Sequence, residues 1–171
     1  MDARRVVILG VGNVLLRDEG VGVHVARALL ACPPQAVDAH IEIYDAGTSA
    51  DLAYLSSDAD LLIIIDAAQL GQVPGAVSVF DPQEIGCASN APLSLHDRGI
   101  YDALAEIHLM ALHPPRMLIV GIEPQTVEWG IGLSPAVADA IPKVLATIEH
   151  HISRALAQLS LETGWQEGMR C

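Results

Sequence analysis

Acidic residues stand where the strand-like runs of this chain end. The apolar run Val6–Gly10 leads through Gly10-Val11-Gly12-Asn13 into Arg17-Asp18-Glu19-Gly20. Ile41–Asp45 ends on Asp45 and is followed by Ala46-Gly47-Thr48; Leu61–Asp66 ends on Asp66; Met117–Ile122 is followed by Glu123-Pro124. In an open parallel sheet, ligands bind at the carboxyl ends of the strands. Glu19, Asp45, Asp66 and Glu123 would then share one edge. Aspartates also close strands because they start turns, so each has a plain structural reading as well. Together they pose an electrostatic problem, since crowded carboxylates raise one another's pKa. A cation relieves it, supplied by Arg17 or Arg98 or by a metal ion. His96 lies in the first turn of a helical pattern, four residues before Ile100, on the core-facing stripe. A helix N-terminus disfavours imidazolium and leaves a lone pair for a metal; a structural hydrogen bond is the alternative. An Asp/Glu/His donor set suits zinc or nickel without choosing between them.

Other chemistries find no support in the motifs. A dinucleotide fingerprint would need glycine at position 15, where this chain has Leu15. There is no phosphate-loop pattern, no G-x-S-x-G elbow and no C-x-x-C pair; Cys32, Cys87 and Cys171 are scattered. His150 and His151 are adjacent on a helical pattern and face different ways. No nucleophile stands beside an evident base, which disfavours an acyl-enzyme.

The elements that must position these groups follow from apolar spacing. Val6–Gly10, Ile41–Asp45, Leu61–Asp66, Val77–Phe80 and Met117–Ile122 are Val- and Ile-rich and nearly continuous, as in strands buried on both faces. Helical patterns run over about 19–32, around Ala50–Ser56, and through Ile100, Leu104, Ile107 and Met110, the last with a capping box at Ser94 and Asp97. A final helix starts at Ser134-Pro135, with serine as N-cap and proline in the first turn, and its stripe continues to Leu156 past a kink at Pro142. The alternation of strand and helix predicts a parallel α/β sheet. Only residues 67–75 separate the third and fourth runs, too few for a parallel crossover. The strand at about 77–80 is therefore expected to be antiparallel. Residues 1–160 read as one domain and 161–171, which carry no pattern, as a flexible tail.

Size and composition agree. The chain has 171 residues, the length of one domain, with 51% hydrophobic and 4% aromatic residues and a formal charge of −12. That charge argues against nucleic acid and anionic membrane as partners. No run approaches a membrane span and the start is too interrupted for a signal peptide. The expectation is a cytoplasmic monomer.

The run Val7-Ile8-Leu9-Gly10-Val11-Gly12-Asn13-Val14-Leu15-Leu16-Arg17-Asp18-Glu19-Gly20-Val21-Gly22-Val23 closely resembles the opening of the hydrogenase maturation endopeptidases. Asp45-Ala46-Gly47-Thr48 is similar to that family's D-G-G-T segment, with Ala46 in place of glycine. Ile63-Ile64-Ile65-Asp66-Ala67, His96, Gly121-Ile122-Glu123-Pro124 and Leu133-Ser134-Pro135 resemble further family segments. The likeness covers about residues 5–155.

The resemblance implies a three-layer α/β/α sandwich with a five-stranded mixed sheet and one antiparallel strand. It implies a metal-binding set of Glu19, Asp66 and His96, with Glu19 or Asp66 serving as base. Asp45, Gly47 and Thr48 would form a substrate-recognition loop. The implied activity is one cut that removes a short C-terminal peptide from the nickel-loaded precursor of a nickel–iron hydrogenase large subunit. Nickel would be recognised within that precursor, with another divalent ion such as zinc able to occupy the isolated site. The alternative is a nickel-binding, chaperone-like assembly module without catalysis.

Overall fold

The computed structural model describes residues 3–48, 58–81 and 115–168. Five strands form one sheet: β1 Arg4–Val11, β2 Ala39–Gly47, β3 Leu61–Ala67, β4 Val77–Phe80 and β5 Arg116–Ile122. Their order across the sheet is β2-β1-β3-β5-β4. The first four in that order are parallel, and β4 runs antiparallel to β5 with Val77 opposite Ile122 and Phe80 opposite Ile119. The short connector between β3 and β4 thus has the consequence expected of it.

All seven residues of β3 are buried. Along this strand alternate residues enter two separate clusters, as a period of two requires. Ile63 and Ile65 pack with α1 (Val21–Ala31) and α2 (Pro135–Gly168) through Val21, Val25, Leu29, Val144 and Ile148. Leu62 and Ile64 join Val7, Leu9 and Ile119 in a second buried cluster on the other face. Burial on both faces is what the sandwich architecture demands. The helices expected at Ala50–Ser56 and Ile100–Met110, and the capping box at Ser94, lie outside the described residues.

Two boundaries differ from the sequence reading. The first helix does not begin at residue 19; a short 3-10 helix, Arg17–Gly20, precedes it. The last helix does not stop where its apolar stripe does but continues to Gly168. A helix end is set by the backbone's hydrogen bonds as well as by a buried stripe, so the loss of the stripe does not mark it.

Glycines set the approach of α1 to the sheet. A side-chain carbon at Gly22 would collide with the carbonyl oxygens of Val11 and Ile65. Gly12 has φ 135° and lies against the Glu19 carbonyl, a conformation and a closeness that only glycine tolerates. The glycine-rich start of this chain therefore seats a helix on strand ends, and brings the 3-10 helix to the carboxyl edge of β1 and β3.

Candidate active site

Asp66 is the last residue but one of β3 and is 5% exposed. Its Oδ1 accepts the Ala67 N–H at 2.8 Å. Burial pushes the carboxyl up to about 8, against the effect of that hydrogen bond, and the charge of Glu19 adds to the rise. Glu19, half-buried on the 3-10 helix, therefore acts electrostatically on Asp66. The structure brings together these two residues of the expected site. His96 lies outside the described residues. Among the described residues no group of three metal-ligating side chains comes together.

The other acids at this edge have separate tasks. Asp45 is exposed and its Oδ2 takes the Arg27 Nε at 2.9 Å, across β2 and α1. The Glu123 Oε2 accepts the Leu70 N–H at 2.7 Å, while its backbone exchanges bonds with Gly75 and Ala76. Glu123 thus fastens the β3–β4 connector to the end of β5. Arg17, one cation considered for the cleft, lies 3.2 Å from Glu128 through its Nε. Gly47, at φ 53°, gives its carbonyl to the Gly12 N–H at 2.9 Å, which ties the Asp45–Thr48 segment to the β1 turn. Thr48 follows it, exposed.

Asp18 is the residue whose part sequence reasoning missed. It is wholly buried. One oxygen accepts the Ser134 N–H at 2.6 Å; the other accepts the Ser134 hydroxyl at 2.7 Å and the Gln125 and Thr126 N–H groups at 2.9 and 3.0 Å. Burial would raise its pKa, but the hydrogen bonds from Ser134, Thr126 and Gln125 outweigh that and hold it below the ordinary value. Backbone bonds from Arg17 N to Gly130 O and from Gly130 N to Leu15 O complete the join. The segment that carries Glu19 is thereby bolted to the loop before α2. Ser134 does flank the first turn of α2, but its hydroxyl donates to Asp18 instead of capping the helix. The acid's place next to Glu19 was the one available signal; its partners lie more than a hundred residues away.

Comparison with known proteins points the same way. Residues 23–151 match the family model described as hydrogenase maturation protease. The hydrogenase 2 maturation protease of Escherichia coli is 32% identical over 146 residues, covering 84% of this chain and 88% of that one. The hydrogenase expression/formation protein HupD of Rhodobacter capsulatus is 34% identical over 145 residues, covering 83% and 68%. Among solved structures, the hydrogenase maturating endopeptidase HybD of E. coli superposes with a TM-score of 0.72 at 31% identity, covering 84% of this chain and 89% of that one. The nickel–iron hydrogenase maturation protease HybD of Thermococcus kodakarensis gives 0.71 at 27% identity, covering 85% and 97%. Matched by the family model over residues 23–151 and by relatives more than 30% identical, this chain belongs to the hydrogenase maturation protease family and is a peptidase.

Proposed function

We propose that the chain removes a short C-terminal peptide from the nickel-loaded precursor of a nickel–iron hydrogenase large subunit. The observation that carries this reading is the Glu19–Asp66 pair: a buried carboxyl held near pKa 8 beside a second carboxylate at the ligand-binding edge of the sheet. Such a pair is poorly disposed toward a neutral peptide and well disposed toward a cation. Nickel, carried by the substrate, supplies that cation. Glu19, Asp66 and His96 complete its coordination, and an empty precursor offers nothing for them to hold. Specificity then comes from a difference in binding between loaded and empty precursor.

The chain's own residues do the rest. Asp66 releases its proton when the cation arrives. With the peptide positioned, Glu19 accepts a proton from water as the water oxygen attacks the scissile carbonyl, and returns it to the departing amine. The Asp45–Thr48 segment, tied to the β1 turn through Gly47, contacts the substrate beside the cut. On this reading the enzyme works as a monomer in the cytoplasm.

The test is to incubate nickel-loaded and nickel-free precursor with the chain and weigh the large subunit. Loss of a C-terminal peptide from the loaded form alone is the expected result. Metal-dependent binding with no change of mass would identify a chaperone-like module instead.

A further inference from the structure

The arginines of the described chain divide into two groups. Arg4, Arg5, Arg17 and Arg27 lie against Asp60, Glu42, Glu128 and Asp45. Arg116 and Arg154 have no carboxylate partner among the described residues, although the chain carries a charge of −12. Both line one pocket of about 170 Å³ between β4, β5 and α2. Val79, Leu118 and Ala155 give it an apolar wall, and Gln158 closes one side. The Gln158 Oε1 is buried and accepts no hydrogen bond, which is costly unless a donor arrives. His151 lines the same pocket, and burial, His150, Arg154 and Arg116 hold its imidazole below the ordinary value. Asp81 also stands at the rim, with an interaction of its own.

We propose that this pocket binds the free carboxyl terminus of a peptide. The two guanidiniums take the carboxylate, in the charge-assisted pairing that Arg makes best. Gln158 accepts the amide N–H of the terminal residue. That residue's side chain rests on Val79, Leu118 and Ala155. The volume suits a single residue, being well below the few hundred Å³ of a drug-sized site. Arg116 pairs with Leu61 and Gly121 with Asp66, so the pocket lies some five residues, or about 16 Å, down the sheet from Asp66. It is separate from the Glu19–Asp66 site, and neither assignment depends on the other.

The full chain is titrated calorimetrically with N-acetyl-leucine, with N-acetyl-leucinamide and with inorganic phosphate, and the His151 imidazole is followed by NMR. N-acetyl-leucine should bind saturably and raise the His151 pKa. The neutral amide should bind about tenfold more weakly or worse, since it lacks the charge. Phosphate, with neither amide nor side chain, should also be weaker. Arg154→Gln, at an exposed helix position that spares the fold, should weaken N-acetyl-leucine about tenfold, whereas Lys143→Gln should not. The proposal is overturned if N-acetyl-leucine fails to bind, if the amide or phosphate binds as tightly, or if Arg154→Gln binds like the parent.

Discussion

The carboxylate of Asp18 receives both the backbone N–H and the hydroxyl of Ser134, 116 residues further along the chain. Two more N–H groups, from Gln125 and Thr126, converge on it. Next in sequence is Glu19, so this buried anchor fixes the base of the proposed reaction. Asn at position 18 would turn an amide NH2 toward donors that need an acceptor. Asp18→Asn is expected to destabilise the fold by about 2–4 kcal/mol, and Ser134→Ala by about 1–2 kcal/mol. Denaturant melts check both, and equal stability of Asp18→Asn and the parent refutes the anchor.

Asp66 makes a pH prediction with a definite sign. Its carboxyl stands at about 8 in the fold against an ordinary value of 3.8. Between those values the unfolded chain has lost a proton that the folded chain keeps. Stability in the absence of divalent ions should therefore fall as pH rises from about 4 to about 8, with a slope near 1.4 kcal/mol per pH unit from this one proton. Asp66→Asn should remove that component, and Glu19→Gln should move its upper limit down, because the Glu19 charge raises Asp66. A melting series that is the same for Asp66→Asn and the parent at every pH would refute the assignment. Nickel or zinc should stabilise more at pH 8.5 than at pH 6.5, since a cation must displace the proton.

Processing assays separate the acids of the sheet edge. Glu19→Gln, Asp66→Asn and His96→Gln should each abolish cleavage while leaving a folded chain. Glu123→Gln should cleave like the parent, because an amide oxygen can still accept the Leu70 N–H that Glu123 now binds. Parent-like cleavage by all three of the first set removes them from the site.

What was legible in the sequence was what local patterning encodes. Continuous Val/Ile runs mark β1, β3 and β5, and connector length gives the direction of β4. Position at a strand end pointed to Asp66 and to the turn that carries Glu19, and in the fold the Glu19 charge acts on buried Asp66. The same reasoning admitted Asp45 and Glu123, because it sees where a carboxylate stands and not which donor it meets. Arg27 lies 18 residues from Asp45, and Leu70 lies 53 from Glu123. Asp18 was hidden for the same reason: a residue beside a candidate base has no local signature when its partners come from a distant loop. The resemblance of the first strand and turn to a known family supplied what periodicity cannot, namely the activity.

Gly22 offers a test of the glycine-rich start. Alanine is the better helix former by about 1 kcal/mol, so Gly22→Ala on a free helix would stabilise. Here the added methyl meets the Val11 and Ile65 carbonyl oxygens. Displacing α1 from the strand ends should reverse the sign and cost about 1–3 kcal/mol or more. It should also reduce cleavage beyond the loss of folded chain, because the 3-10 helix that carries Glu19 moves with α1. A stabilised, fully active Gly22→Ala would show that the close approach does not matter.

Trp129 and Ile131 are 79% and 84% exposed, and the nearby Leu15 is 49% exposed. Gly130, between the first two, is hydrogen-bonded to Leu15 and Arg17, so all three side chains stand on backbone fixed beside Glu19. Side chains this exposed add little to folding. Trp129→Ala and Ile131→Ala should leave stability within about 0.5 kcal/mol of the parent. An exposed tryptophan next to backbone that is hydrogen-bonded to the Glu19 segment is, however, the kind of residue on which a protein partner closes. If the precursor seats here, Trp129→Ala should raise the KM for processing about fivefold or more while kcat changes little, the signature of lost ground-state binding. An unchanged KM with both variants would place the precursor elsewhere on the surface.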